Sequence, residues 1–255
     1  MHDEFTEDAA LNGRVRLRQP KRGHRFGHDA ILLAAACPAR AGEYAIELGA
    51  GVGAAGLALA VRVPSLKVIL VEREAALCEL ARQNIALNKL EDRVTVHEAD
   101  VATLGLAPSD HVLMNPPFND PARAQASPDP SRRSAHVGGA DVLARWAAAA
   151  AGVLKPNGTL ALIWRADGLD AVRRALAPSF GALGILPIQP KPGAEPIRVL
   201  VRAQKGAARS ERRYGPLVLN DAENKPSPAA EAVLRAGESL ALAETLGSGS
   251  KEGGG

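Results

Sequence analysis

The chain of 255 residues has few aromatic side chains, only two cysteines and no apolar run long enough to cross a bilayer. Because aromatic residues make up only 3% of the sequence, an aromatic side chain outside the core is more informative about function than it would be in an average protein. Neither Cys37 nor Cys78 has the spacing of a metal site or of a CxxC motif. We therefore expect two core thiols in a reducing compartment, and no metal site.

The longest apolar-rich stretch, Trp146 to Leu154, is much shorter than the ~20 residues that a membrane-spanning helix requires. The N-terminal sequence MHDEFTEDAA is acidic and polar, unlike a signal peptide. Hydrophobic residues nevertheless make up 46% of the chain, which is enough for a sizeable core. These features predict a soluble cytoplasmic protein without a membrane partner.

Basic residues are unevenly distributed on a chain whose net charge is only +3. Residues 14–25 contain no acid, and residues 198–213 contain one, Glu211. Two basic clusters on a near-neutral body favour a polyanionic partner such as a nucleic acid, although arginines that merely solvate the surface would give the same pattern. The clusters comprise Arg14, Arg16, Arg18, Lys21, Arg22 and Arg25, and Arg198, Arg202, Lys205, Arg209, Arg212 and Arg213.

Apolar strands alternate with helical segments through the middle of the chain. This alternation indicates βαβ units and predicts an α/β, doubly wound, mainly parallel seven-stranded sheet. The near-continuous apolar character of the strands fits a sheet that is covered on both faces. Strands are expected at 44–49, 67–72, 94–99, 111–114, 159–164, 183–188 and 197–203, and helices at 54–63, 73–90, 139–154 and 169–177.

Three segments are expected along the chain. Residues 1–40 form a basic segment with a hairpin at Asn12-Gly13 and a helix, packed on the core. Residues 41–206 form the α/β domain. Residues 207–255 form an extension with a helix near 229–235 and a disordered tail, GSGSKEGGG.

Ligands of doubly wound sheets bind at the carboxyl ends of the strands, so the residues there are the candidate site. The first strand runs into a glycine loop, ELGAGVG, that permits a sharp turn and close approach of a ligand to the backbone. The second and third strands end in Glu72 and Asp100. An acid at the end of the second strand can accept hydrogen bonds from ribose hydroxyls, whereas Asp100 could equally cap a helix. No nearby G-x-x-x-x-G-K-[ST] motif supports a nucleoside triphosphate.

The fourth strand ends in VLMNPPFND, residues 112–120. Prolines cannot donate to a β-ladder, so this sequence is either a simple strand stop or a catalytic loop. The glycine loop and the acids at the neighbouring strand ends favour the catalytic loop.

The sequences ELGAGVG, VEREAAL, HEADV and NPPF, in this order, resemble class I S-adenosylmethionine-dependent methyltransferases. LNGRVRLRQPKRGHRFGHDAILLAAA and RVLVRAQKG are further similar to the bacterial tRNA adenine-N6 methyltransferase family. The resemblance covers roughly residues 10–205 and implies a Rossmann-like fold, S-adenosyl-L-methionine as cofactor, and RNA, specifically tRNA, as partner. It assigns the cofactor to Phe26, Asp29, Glu47, Gly49, Gly51, Gly53, Glu72 and Asp100.

In that family the three glycines would pass under the methionine part of the cofactor, and Glu47 would help to receive its amino group. Glu72 would bind the ribose and Asp100 the adenine amino group. Phe26 and Asp29 would close the methionine end of the site.

The NPPF motif suits methylation of an exocyclic amine or an amide, whose nitrogen lone pair is delocalised. Hydrogen bonds from the two N–H groups to the Asn115 side chain and the Pro116 carbonyl would localise that lone pair and strengthen in the transition state. Pro117 would hold its predecessor extended, and Phe118 would stack on a flipped or single-stranded base.

The polar loop at 119–138 supplies candidate substrate-binding residues. It is either a substrate lid or a surface insert. The candidates are Arg132, Arg133 and His136. Trp146 and Trp164 lie on apolar patterns and are expected in the core.

Three alternative functions remain at this point, and the oligomeric state is left open. Glutamine N5-methylation of a translation factor is disfavoured, because only about 40 basic, hairpin-like residues precede the glycine loop, where that family usually has a helical recognition domain. Guanine-N2 methylation of ribosomal RNA is compatible with the motif. A non-catalytic RNA-binding module would not need paired acceptors.

Overall fold

A computed structural model describes residues 5–21, 25–117 and 135–244 of the chain. A nine-stranded sheet dominates the described residues and has the order β10-β8-β9-β7-β6-β3-β4-β5, with β11 also paired to β8. A separate two-stranded hairpin, β1-β2, lies beside it. The strands are β1 (Phe5–Ala10), β2 (Val15–Pro20), β3 (Tyr44–Leu48), β4 (Lys67–Glu72), β5 (Val94–Glu98), β6 (Ser109–Met114), β7 (Leu154–Arg165), β8 (Phe180–Gln189), β9 (Arg198–Lys205), β10 (Glu211–Arg213) and β11 (Leu217–Val218).

The helices cover the sheet on both faces, as a doubly wound sheet requires. One face packs against α1, α2 and α3, and the other against α4 and α5. Helix α6 lies outside the first layer, on α1. The helices are α1 (His28–Ala36), α2 (Ala54–Arg62), α3 (Ala75–Leu87), α4 (Ala135–Val153), α5 (Leu169–Leu176) and α6 (Pro228–Leu234).

The seven predicted strands are present as β3–β9, and the predicted α/β fold is confirmed. β3 to β7 are mutually parallel, and β9 runs antiparallel between β7 and β8. The predicted count of seven is too low, because β10 and β11 add to the free edge of β8. These strands have three and two residues and no apolar alternation, so the sequence pattern does not reveal them.

The helix before β7 ends at Val153, one residue before its predicted end at Leu154. The sequence Lys155-Pro156-Asn157-Gly158 has the composition of a turn but forms a distortion within β7, which begins at Leu154. Asn157 has a φ of +62°, and regular pairing with β6 resumes at Thr159. The chain thus enters the central sheet with a kink rather than through a separate loop.

The predicted hairpin at Asn12-Gly13 is confirmed, with Ala10 paired to Val15 across a four-residue loop. Leu11, Asn12 and Gly13 all have positive φ, and glycine adopts this conformation without a steric cost. The hairpin packs on α2 and α3 and is not part of the central sheet.

Two asparagines, Asn84 in α3 and Asn88 directly after its last residue, attach the hairpin to the α/β core. Asn84 accepts a hydrogen bond from the N–H of Arg18 (2.6 Å) and donates to the Arg18 carbonyl (2.9 Å). The same amide group also donates to the carbonyl of Val52 in the glycine loop (3.0 Å). Asn88, one helical turn later, bonds in the same way to the backbone of Arg16 (2.8 and 2.7 Å) but does not reach the loop. Asn84 therefore ties the hairpin and the glycine loop to one helix.

Replacing Asn84 with alanine is expected to lower the free energy of unfolding by about 2–3 kcal/mol, because the fully buried amide leaves three backbone groups without a partner. Asn88→Ala is the matched control, since it loosens the hairpin alone. Urea unfolding measures both variants. Equal losses of stability in the two would contradict the special role of the Val52 contact.

In the part of the chain that the structure describes, every helix is too short or too polar to cross a membrane.

Candidate functional site

The register of the sheet brings the predicted strand ends to one edge. Leu48 pairs with Val71 on one side and with Met114 on the other. The next residue of each strand is therefore Gly49, Glu72 and Asn115, respectively. Asp100 follows β5, whose Glu98 pairs with Glu72. The glycine loop, both acids and the asparagine thus follow four adjacent parallel strands at their carboxyl ends.

The glycine loop turns sharply between β3 and α2. Gly49, Gly51 and Gly53 have φ values of +63°, +56° and +87°, a region that side chains with a Cβ rarely adopt. A Cβ on Gly51 would have open space around it, since no heavy atom of the described residues other than its chain neighbours lies within 4 Å. A Cβ on Gly49 would overlap the indole of Trp146. The loop therefore offers bare backbone at Gly51 and is covered by an aromatic ring at Gly49.

Glu47 lies beneath this loop and is only 6% exposed. Its carboxylate accepts a hydrogen bond from the N–H of Gly56 (2.6 Å) in the first turn of α2. Burial raises the pKa of Glu47 from 4.5 to about 8, and the N–H groups of Gly56 and Ala55 oppose that shift. Glu47 therefore braces the loop from below, at the N-terminus of the helix that follows.

The raised pKa of Glu47 makes stability depend on pH. The folded state keeps the proton on this carboxyl up to about pH 8, whereas the unfolded chain releases it near 4.5. The free energy of unfolding should therefore fall as pH rises through this window, by at most about 1.4 kcal/mol per pH unit.

Glu47→Gln, which cannot ionise, should lose that slope in urea titrations between pH 5 and pH 8. The exposed Glu91→Gln serves as the control for losing one carboxylate. A wild-type slope that persists in Glu47→Gln would rule out this origin.

Glu72 is buried at the end of β4 and holds three backbone N–H groups. One carboxylate oxygen accepts from Gly51 (2.9 Å), and the other accepts from Arg73 (2.8 Å) and Glu74 (2.9 Å). A carboxylate has about four acceptor positions, so one remains on the oxygen that faces Gly51. Glu72 can therefore accept a hydrogen bond from one ribose hydroxyl, whereas the sequence suggested bonds from both ribose hydroxyls.

Asp100 is exposed and caps a short 3₁₀ turn at Val101–Thr103. One of its oxygens accepts from the N–H of Ala102 (2.9 Å), and the other lies 3.8 Å from the guanidinium of Arg73. The capping alternative is therefore correct, and it leaves the second oxygen open to a further donor.

The segment after β6 contains a buried acceptor without a partner. The Asn115 side-chain oxygen is buried and has no hydrogen-bond partner among the described residues. Pro116 is buried and Pro117 is exposed, so the chain rises out of the sheet over these two residues. Buried polar atoms are nearly always paired, so an unpaired one beside the glycine loop is suited to receive a donor from a ligand.

Two residues around the start of α1, Phe26 before it and Asp29 in its first turn, also reach this edge. Asp29 forms an ion pair with Arg198 (2.9 Å), at the start of β9 and opposite the end of β7. The backbone N–H of Phe26 donates to the side chain of Gln19 (3.0 Å) in the hairpin. Contacts with Arg198 and Gln19 therefore hold Asp29 and Phe26, respectively, next to the site.

The arrangement fits a cofactor with hydroxyl and amino donors. Among the described residues it combines open backbone at Gly51, a free acceptor position on Glu72 and an acceptor without a partner on Asn115. Within residues 5–21, 25–117 and 135–244, no group of three or more His, Cys, Asp or Glu side chains is arranged to hold a metal ion.

Comparison with known proteins now identifies the family. Residues 25–188 match the model of the methyltransferase small domain. The chain belongs to this family. It is an S-adenosylmethionine-dependent methyltransferase with the Rossmann-like fold.

Two relatives of this methyltransferase are enzymes named tRNA1(Val) (adenine(37)-N6)-methyltransferase. The one from Aeromonas hydrophila is 31% identical over 208 residues, covering 78% of this chain and 84% of the relative. The one from Porphyromonas gingivalis strain W83 is 31% identical over 159 residues, covering 58% and 62%.

Solved structures agree on the fold. A protein from Agrobacterium tumefaciens, described as a predicted O-methyltransferase, superposes with a TM-score of 0.70 and 28% identity. The match covers 83% of this chain and 98% of that one. Pyrococcus horikoshii TYW2 in complex with MeSAdo has a TM-score of 0.55 and 16% identity, covering 80% and 73%. The second likeness concerns the fold alone.

The basic clusters of the methyltransferase are largely engaged within the fold. Arg16 and Arg18 share Glu7, and Arg25 pairs with Asp8. Arg202 donates to two carbonyls near residue 244, and Lys205 donates to two at the end of α4. These basic side chains, which suggested a surface for a polyanion, therefore make structural contacts within the fold.

Some predicted residues lie outside the described part of the chain, the contacts of one residue were not foreseen, and one residue was misjudged. Phe118, Arg132 and Arg133 lie outside the described residues, and His136 is in the first turn of α4. Sequence reasoning did not foresee the contacts of Asn84. A polar residue on an otherwise apolar face of a helix indicates a buried hydrogen bond, and Asn84 lies on such a face. Trp146 was expected in the core but is partly exposed at the glycine loop, whereas Trp164 is buried as expected.

Proposed function

We propose that this methyltransferase methylates the N6 amino group of an adenine in tRNA. One observation carries the proposal: the buried Asn115 oxygen at the carboxyl edge of β6, which has no partner among the described residues and is followed by two prolines. The names of the relatives from Aeromonas and Porphyromonas support the same substrate.

The cofactor would lie across the glycine loop. When bound, S-adenosyl-L-methionine supplies a methyl carbon activated by the adjacent sulfonium. The backbone at Gly51 leaves space for it, and Glu72 offers one acceptor position to a ribose hydroxyl. The second oxygen of Asp100 is available to the adenine amino group, and Phe26 and Asp29 border the methionine end.

Asn115 would orient the acceptor amine. An adenine N6 has two N–H groups, and the Asn115 oxygen would accept one while the carbonyl of Pro116 accepts the other. Both hydrogen bonds strengthen as the nitrogen becomes positive, which stabilises the transition state. A nearby general base is not required, because the methylated, cationic nitrogen is acidic and releases its proton to water.

The target base would have to leave its stack to reach Asn115. We propose that Phe118 stacks on that base and that Arg132, Arg133 and His136 bind the surrounding RNA.

The two free, buried cysteines support a reducing compartment, the cytoplasm. We also propose that residues 1–40 form an N-terminal segment packed on the core, residues 41–206 the methyltransferase domain and residues 207–255 a C-terminal extension.

The experiment incubates the protein with methyl-labelled S-adenosylmethionine and, separately, total tRNA, ribosomal RNA or translation release factors. Nucleoside analysis of the labelled product should return N6-methyladenosine from tRNA. Label in guanine of ribosomal RNA, on a ribose hydroxyl or only in protein would overturn the proposed substrate. Calorimetry without measurable cofactor binding would overturn the cofactor assignment itself.

A further inference from the structure

The indole of Trp146 lies on the first glycine of the cofactor loop. A Cβ built on Gly49 would overlap the six-membered ring of this indole, so the ring packs directly on the loop backbone. Gly49 has a φ of +63° and immediately follows Leu48, which pairs with the strand that leads to Asn115. The ring therefore lies at the edge of the sheet that carries the site.

Trp146 differs from its neighbours on the same helix. Leu143, Ala147 and Ala150 are almost fully buried against the sheet, whereas Trp146 is partly exposed. Trp146 lies beside this buried row, at the rim of the core. Part of an aromatic surface is thus open to solvent next to bare loop backbone, in a chain with only two tryptophans.

Helix α4 also packs on the 3₁₀ turn that Asp100 caps. The element that carries Trp146 consequently contacts two of the segments assigned to the cofactor. A flat apolar ring on the glycine loop, carried by a helix that also contacts this turn, suits stacking or close packing against a nucleoside or an aliphatic chain.

We propose that Trp146 is a cofactor-binding residue whose indole forms one wall of the S-adenosylmethionine site. This rests on the proposed position of the cofactor over the glycine loop. The ring fills the space left by the absent side chain of Gly49 and presents its remaining surface to the bound cofactor.

Tryptophan fluorescence tests this inference without an activity assay. In Trp164→Phe all indole emission comes from Trp146, and in Trp146→Phe all of it comes from Trp164. Saturating S-adenosylhomocysteine should change the emission of Trp164→Phe and protect it from acrylamide, while Trp146→Phe shows little response. The wild-type minus Trp146→Phe difference spectrum provides the same signal should Trp164→Phe fold poorly.

Affinity supplies the second readout. Trp146→Ala should weaken binding of S-adenosylhomocysteine by about tenfold or more in calorimetry, and Trp146→Phe should recover most of that loss. Adenosine and methionine, titrated separately into Trp164→Phe, show which end of the cofactor meets the ring.

The two possible failures are distinguishable. If the wild type binds S-adenosylhomocysteine but Trp146 emission is unchanged and Trp146→Ala binds equally well, the Trp146 inference is wrong and cofactor use stands. If the wild type does not bind at all, the proposed function fails first.

Discussion

Replacing Asn115 with alanine is expected to slow methyl transfer by about tenfold to more than a hundredfold. Its side-chain oxygen is positioned to accept an N–H that becomes more acidic as the reaction proceeds. Such a bond is stronger in the transition state than in the ground state, so turnover should fall while S-adenosylmethionine affinity changes little. Single-turnover rates with labelled cofactor measure the effect.

Stability provides the sharpest control for Asn115. Its oxygen has no partner among the described residues, so its removal deletes a buried unsatisfied acceptor rather than a structural bond. Asn115→Ala should therefore unfold at no lower urea concentration than the wild type. Asn115→Asp keeps an acceptor oxygen and should retain more activity than alanine. A slow variant that is also much less stable would indicate a structural role instead.

Glu72→Ala is expected to weaken S-adenosylmethionine binding by on the order of a hundredfold. The variant loses the acceptor offered to the ribose. It also frees the N–H of Gly51, so the loop loses the contact that holds its open backbone in place. Calorimetry at a temperature well below the melting point of the variant measures the loss.

Glu74→Ala is the matched control for Glu72. Glu74 is an exposed glutamate two residues later, and its side chain makes no capping hydrogen bond. Its removal should leave cofactor affinity within about threefold of the wild type, as expected for an exposed side chain without a specific contact. If Glu72→Ala is destabilised but binds the cofactor normally, Glu72 is part of the scaffold and does not bind the ribose.

The central fold could be predicted because its signals are local. The apolar run at Lys67–Glu72 and the amphipathic repeat at Ala75–Leu87 each determine an element within their own residues. Parallel connectivity then brings Glu72 and Asn115 to the same edge without further information. The glycine loop, Glu72, Asp100 and Asn115 therefore followed from strand ends, whereas Phe26 and Asp29 were expected only from the family resemblance.

The roles of the cations could not be predicted, because their partners are distant in the sequence. Arg202 meets the carbonyls of Leu242 and Glu244, and Lys205 meets those of Ala151 and Leu154. The sequence gives the charge of a side chain but does not reveal which carbonyl group it binds after folding. The exposure of Trp146 was misjudged for a related reason. Helical periodicity does not distinguish a residue that is fully buried against the sheet from one at the edge of the buried face.

The added strands β10 and β11 have a consequence for how copies of this chain meet. β8 would otherwise be the outermost strand, with ten mostly apolar residues and a row of unpaired backbone groups. Such an edge is a template for pairing with a second molecule. Glu211–Arg213 and Leu217–Val218 occupy it from within the same chain. The C-terminal extension thereby covers this edge, and we expect a chain shortened before Glu211 to expose an aggregation-prone strand.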